Sequence, residues 1–372
     1  VRIAFHTPLN AFDDGRISGD RRMARQIADG LEQLGHRVEP VRDARSYMST
    51  PDALVNLELK AAARIEELIA SWRETASVPD LWFTYHSYYK APDLLGPAIA
   101  GRLGVPYVVA EASDSRRRAM GEWTGAVAHA RASFATADLH LCFTAQDRNG
   151  IAPWARPGAR LFNLPPFIAT LPPVSSKPPH AGPPRLITVA MMRGGVKHES
   201  YLALARTLQR LLDRPWTLTV IGDGPLRGEV EAAFAGLPAD RITWRGALPH
   251  DAVAAELASH DIFVWPGLGE AYGLVYLEAQ AAGLPVVAFD SGGVPETVKA
   301  GETALLAPEG DDEKLAGALA RLLDDPGLRL GLGEAAVGFI AAERSMSSAR
   351  IILGTALDLA VDAFRCRQAF KP

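Results

Sequence analysis

Cysteine is scarce in this chain of 372 residues, where only Cys142 and Cys366 carry a thiol. Two thiols so far apart exclude a disulfide framework and a thiolate metal cluster, and they suit a reducing, cytoplasmic setting. No apolar run reaches 18 residues, so the sequence offers no membrane-spanning helix. Peripheral contact with a membrane is left open. The opening residues VRIAF read as a first strand and lack the basic start, apolar stretch and cleavage site of a signal peptide. Charge of one sign is not in excess either: 39 Lys plus Arg stand against 43 Asp plus Glu, a net charge of -4. That balance argues against a nucleic-acid partner, which would need many phosphates neutralised.

What is present is a globular composition, 48% apolar and 22% charged, in a length that at roughly 150 residues per domain suits two domains. Short apolar runs alternate with amphipathic stretches, the pattern of parallel sheets covered by helices on both faces, so the fold class is α/β. In the first half the expected strands are 2–6, 36–40, 81–85, 107–110 and 139–143, with a helix over 20–34 closed by Gly35. Residues 164–185, LPPFIATLPPVSSKPPHAGPPR, contain eight prolines and can form neither regular helix nor central strand. The second half restarts with expected strands at 186–191, 217–221, 242–245, 262–265, 286–289 and 304–306. The expected organisation is an N-terminal Rossmann-like domain over 1–168, a linker over 169–185 and a second Rossmann-like domain over 186–346. A last helix, 347–364, is long enough to return to the first domain.

The densest chemical signal lies in 267–298, GLGEAYGLVYLEAQAAGLPVVAFDSGGVPETV. Glu270 falls in the loop after a strand, at the carboxyl end where open α/β sheets bind ligands. Gly273 lets the backbone approach a ligand, and the Leu274 and Val275 amides open a helix whose free N–H groups favour a phosphate. Glu278 follows about one turn later, within reach of a sugar hydroxyl. A lone glutamate at either place would read as an ordinary surface acid; the combination is what carries the signal.

Glu270-x7-Glu278, followed by Ala279-Gln280-Ala281-Ala282-Gly283-Leu284-Pro285-Val286-Val287 and the Gly292-Gly293 turn, resembles the signature of the GT-B-fold glycosyltransferases of the large retaining family 4, the glycosyl transferases group 1. The resemblance covers most of the second half and, more weakly, the first. It implies two doubly wound domains facing each other across a cleft, a nucleoside-diphosphate sugar as donor, and a sugar, lipid-linked or small-molecule acceptor. By the same resemblance Glu270 contacts the donor sugar, Glu278 binds the ribose, and Arg193 and Lys197 hold the diphosphate. Preorganised cations there stabilise the charge that develops as the glycosidic bond breaks. Gly222, in Gly222-Asp223-Gly224-Pro225, matches the family's G-x-G-P turn, and Leu248 matches a base-contact position. Arg227 stands where a dinucleotide-binding G-x-G-x-x-G needs its last glycine, which disfavours a nicotinamide cofactor.

In the first half Gly19, within Ser18-Gly19-Asp20-Arg21, matches the family's phosphate-approaching glycine, with a simple helix cap as the competing reading. His86 and Glu111 follow strands on one edge of the sheet and are the acceptor-side candidates. Many relatives carry a histidine after the strand that precedes Glu111, where this sequence offers Glu111 or Asp114. No Asp-x-Asp pair occurs in the chain, so the expectation is metal independence, and the resemblance implies a cofactor-free glycosyltransferase that retains anomeric configuration. A catalytically silent sugar-nucleotide-binding subunit, or an epimerase or phosphorylase on the same fold, are the alternatives.

Overall fold

The computed structural model describes residues 1–13, 15, 18–169 and 182–369. The chain forms two compact units, one of Val1–Pro165 with Met346–Pro372 and one of Pro166–Ser345. Most of the proline-rich linker, residues 170–181, lies outside the described residues.

The first unit runs β1 (Arg2–His6), α1 (Gly19–Gln33), β2 (Arg37–Pro40), α2 (Leu54–Glu74), β3 (Leu81–Tyr85), α3 (Gly96–Leu103), β4 (Tyr107–Ala110), α4 (Thr124–Thr136), β5 (Leu139–Cys142), α5 (Ala145–Ile151) and β6 (Arg160–Asn163). The strands pair in parallel in the order β2-β1-β3-β4-β5-β6. Every residue of β3, β4 and β5 is buried, as sequences such as LWFTY and YVVA require of strands covered on both faces. The edge strands β2 and β6 are exposed at both ends, and β6 is a strand that its sequence, RLFN, did not announce.

Helix α1 shows why the local sequence folds as it does. Ser18 is its N-cap, its Oγ accepting from the Arg21 amide at 3.2 Å. Met23, Ala24, Ile27, Ala28 and Leu31 are its buried stripe, and each large apolar side chain so buried stabilises the unit by about 1.5–3 kcal/mol. A buried carboxylate fixes the segment after β3. The Thr84 and Tyr107 hydroxyls donate to Asp93 Oδ2 at 2.5 and 2.7 Å, and the Leu95 and Gly96 amides donate to Oδ1 at 2.9 and 2.7 Å. With its lone pairs used, this carboxylate holds residues 86–95 against the sheet end.

The second unit runs β7 (Arg185–Val189), α6 (Val196–Gln209), β8 (Thr217–Ile221), α7 (Arg227–Ala233), β9 (Ile242–Gly246), α8 (His250–Ser259), β10 (Ile262–Val264), α9 (Leu274–Ala281), β11 (Val286–Asp290), β12 (Ala304–Pro308), α10 (Asp312–Asp324) and α11 (Pro326–Glu343). Its parallel order is β12-β11-β10-β7-β8-β9. From β7 the chain steps outward to β8 and β9, then crosses back to lay β10 on the other side of β7. The sheet therefore has a topological switch point between β7 and β10. In the first unit the same reversal falls between β1 and β3. The last helix, α12 (Met346–Ala369), packs on α1 and along β5 and β6 of the first unit.

Candidate active site

In an open α/β sheet the loops leaving a switch point diverge and leave a crevice at the strand carboxyl ends. In the second unit those loops are 190–195 after β7 and 265–273 after β10. They bring together the residues that the sequence marked. Lys197, in the first turn of α6, forms an ion pair through Nζ with Glu270 Oε2, each side chain 16% exposed. The same ammonium stands 5.5 Å from the centre of the buried Trp265 ring, a cation–π arrangement that further fixes it.

The backbone beneath Glu270 is tied at several points. The Leu268 amide donates to Ser200 Oγ and the Gly269 amide to Ser291 Oγ, both at 3.0 Å. The Glu270 carbonyl accepts from the Gly293 amide at 2.9 Å. Gly292 has φ +55, and a Cβ there would lie 2.2 Å from the Glu270 carbonyl oxygen, so only glycine lets the turn after β11 close on this loop. Gly273 is the left-handed N-cap of α9, which places Leu274 and Val275 at the first two helical positions and Glu278 half-buried one turn on. The first four amides of such a helix lack intrahelical partners. Burial and the Glu270 charge push the nearby Tyr276 phenol well above its ordinary range.

Arg193 is exposed, and among the described residues its guanidinium has neither an ion pair nor a hydrogen bond. Its loop is nonetheless well placed, because it is zipped to the turn after β8. The Ala190 amide donates to Ile221 O at 3.0 Å, Met192 to Asp223 O at 2.9 Å and Leu226 to Met192 O at 3.0 Å. Gly222 makes that approach possible: at φ +151, a Cβ would fall 1.8 Å from the Ala190 oxygen. Leu248 is half-buried and packs against the core of the unit.

The first unit gathers a second cluster at its own switch point. His86 Nδ1 lies 2.6 Å from Asp20 Oδ1 and 2.7 Å from Glu111 Oε2. His86 and Glu111 directly follow β3 and β4, and both adopt left-handed backbone, φ +63 and +51. Such a conformation costs a non-glycine residue energy and persists only where the surroundings impose it. Burial alone would lower the imidazole pKa; the Glu111 charge and the hydrogen bonds to Asp20 and Glu111 outweigh it and raise it to about 10, so the ring is an imidazolium at neutral pH. Burial pushes the Glu111 carboxyl up, against the pull of His86. The three ligand-type atoms lie within 4.8 Å of one another, but the contacts are a hydrogen bond to Asp20 and an ion pair to Glu111 that share one ring nitrogen.

Asp20 was not foreseen as a site residue. In the sequence it reads as a first-turn acid favoured by the helix dipole, and only its partner 66 residues away gives it a second use. Gly19 opens α1, and a Cβ there would meet nothing within 4 Å, so the protein itself gives no steric reason for glycine. Residues 116–118 form an exposed turn of three arginines. Beside this cluster, Asn10, Phe12, Arg21, Arg42 and Arg45 line a cavity of about 410 Å³ at the β1 and β2 ends.

Residues 183–325 match the family profile described as "Glycosyl transferases group 1". A 2-deoxystreptamine glucosyltransferase of Streptomyces kanamyceticus is 38% identical over 138 residues, 36% of this chain and 35% of that protein. The chain spans about a third of the length of the curated relatives it matches. Among solved structures, a sucrose-phosphate synthase from Thermosynechococcus elongatus is 19% identical with a TM-score of 0.70, covering 97% of this chain and 99% of that one. Anabaena Alr3699/HepE in complex with UDP is 16% identical with a TM-score of 0.70, over 96% and 100%. Two six-stranded parallel sheets flanked by helices match these folds, so the chain has the GT-B fold, and the part that matches the glycosyl transferases group 1 profile, residues 183–325, contains the Glu270 and Lys197 loops.

Proposed function

We propose that this chain transfers a glycosyl group from a nucleoside-diphosphate sugar to an acceptor hydroxyl. The observation that carries the reading is the Lys197–Glu270 pair at the second unit's switch point, with Arg193, unpartnered among the described residues, on the adjoining loop. A departing diphosphate carries two to three negative charges. Arg193, Lys197 and the amides of Leu274 and Val275 supply fixed positive ends for it, which stabilises the transition state more than the intact donor, whose diphosphate carries less negative charge. Glu270 takes donor-sugar hydroxyls and Glu278 those of the ribose, while Gly222 and Leu248 belong to the walls of the nucleotide site. The UDP of the Alr3699/HepE complex supports a pyrimidine diphosphate as the first donor to try.

In this reading the C1–O bond to the diphosphate breaks, the acceptor oxygen bonds to C1 on the same face, and the acceptor proton passes to a diphosphate oxygen. Configuration is retained and no metal or cofactor takes part, the work of a cation falling to Arg193 and Lys197. A cytoplasmic setting is part of the proposal and is supported by the two unpaired cysteines. Among the described residues no helix is long and apolar enough to cross a membrane. The test is nucleotide release from a panel of UDP-, GDP- and ADP-sugars, with and without chelator, followed by the anomeric configuration of the product. Binding of a nucleotide without release from any donor, even over days, would make the chain a silent binding subunit.

A further inference from the structure

The loops at the first unit's switch point carry a row of rings that the core does not use. His86, Tyr88, Tyr89 and Trp123 follow one another at centroid separations of 5.1, 5.6 and 5.0 Å. Tyr88, Tyr89 and Trp123 are half-buried and outside the buried core, unlike Tyr85, Tyr107 and Phe134 of the same unit. The last two pairs meet edge to face, at 86° and 89°, so in each pair one ring turns its edge, and not its face, to its neighbour. At the far end of the row Arg118 lies 6.0 Å from the Tyr89 ring centre and Lys90 lies 5.7 Å from that of Trp123. At the near end both carboxylate contacts of His86 fall on Nδ1, which leaves Nε2 with no protein partner among the described residues, and in the imidazolium that nitrogen carries a hydrogen to donate. The left-handed backbone of His86 and Glu111 marks the same spot independently.

Half-buried aromatic faces beside one fixed polar donor are the composition of a small-molecule site. The C–H face of a pyranose or cyclitol ring is apolar and gains by covering an aromatic face, while its equatorial hydroxyls need directed partners. We propose that Tyr88, Tyr89 and Trp123 form the acceptor platform of this protein, that it takes a polyhydroxylated six-membered ring, and that His86 Nε2 donates to one ring hydroxyl. This deepens the glycosyl-transfer reading and rests on it. Asp20 and Glu111 are positioning residues here, since they act through the imidazole.

The experiment measures nucleotide release from whichever donor the wild-type chain cleaves, with methyl α-D-glucopyranoside and myo-inositol as ring probes and glycerol as an open-chain polyol. Ring probes are expected to accelerate release and glycerol not to do so. Trp123→Ala and Tyr89→Ala should raise the KM for the ring probe tenfold or more, while slow donor hydrolysis without acceptor stays within twofold of wild type, which also reports that the variants fold. Trp123→Phe and Tyr89→Phe should recover most of the loss, because they keep a ring face. An acceptor KM within twofold of wild type in both alanine variants, or glycerol as effective as the rings, overturns the platform alone. No release from any donor by the wild-type chain overturns the glycosyl-transfer reading, and the platform falls with it.

Discussion

Lys197 Nζ meets Glu270 Oε2 across the point where the second sheet reverses its strand order, although 73 residues separate the two in sequence. The pair is mostly shielded from water but not sealed from it. Breaking it therefore falls below the roughly 3–5 kcal/mol seen when one partner of a fully buried pair is removed. Lys197→Ala is expected to lower stability by about 1–2 kcal/mol and turnover by about 100-fold. Thermal melts and steady-state rates check this, and a rate within twofold of wild type would remove Lys197 from the mechanism.

Arg193 gives the opposite pattern. An exposed side chain with no partner among the described residues contributes within about 0.5 kcal/mol to stability, so Arg193→Ala should melt like wild type. Its nucleoside-diphosphate affinity should fall by about 1.5–3 kcal/mol, the worth of a hydrogen bond to a charged group. Calorimetric titration with UDP, GDP and ADP measures it. Unchanged affinity for all three would return Arg193 to the solvated surface.

Gly292→Ala places a Cβ 2.2 Å from the Glu270 carbonyl oxygen at a left-handed φ. Relief requires the Glu270 loop or the turn after β11 to move, at a cost of about 1–3 kcal/mol. Both stability and kcat should drop, whereas Gly19→Ala, which meets nothing within 4 Å, should leave stability unchanged. Equal melting temperatures for Gly292→Ala and wild type would contradict the close approach.

The His86 cluster predicts a pH dependence with a definite sign. The folded-state pKa of about 10 lies above the unfolded value of about 6.5, so the cluster's contribution is full below 6.5. It is lost as pH rises toward 10. The difference in melting temperature between wild type and His86→Gln should thus shrink steadily from pH 6 to pH 10. Gln keeps the same backbone strain, so the difference isolates the charge. A difference that stays constant over that range would mean the imidazole is already neutral in the folded protein.

The sequence by itself determined the local repertoire. Runs such as LWFTY, YVVA and VVAF could only be strands buried on both faces, and Ser18 with Gly35 bounded α1, whose stripe of Met23, Ile27 and Leu31 faced the sheet. The glycine-rich loops and Glu270-x7-Glu278 likewise stood in the sequence, because each depends on residues close along the chain. The strand RLFN escaped notice since an edge strand with both ends exposed has no continuous apolar run to betray it.

Tertiary structure alone decided which loops became neighbours. Nothing near Lys197 says that β10 will lie beside β7 and not beyond β9; that order follows from how all the apolar faces of a unit are buried together. For the same reason Asp20 could not be seen to meet His86, nor His86 and Glu111 to take left-handed backbone. Such strain is local in cost but is imposed by contacts made from distant parts of the chain.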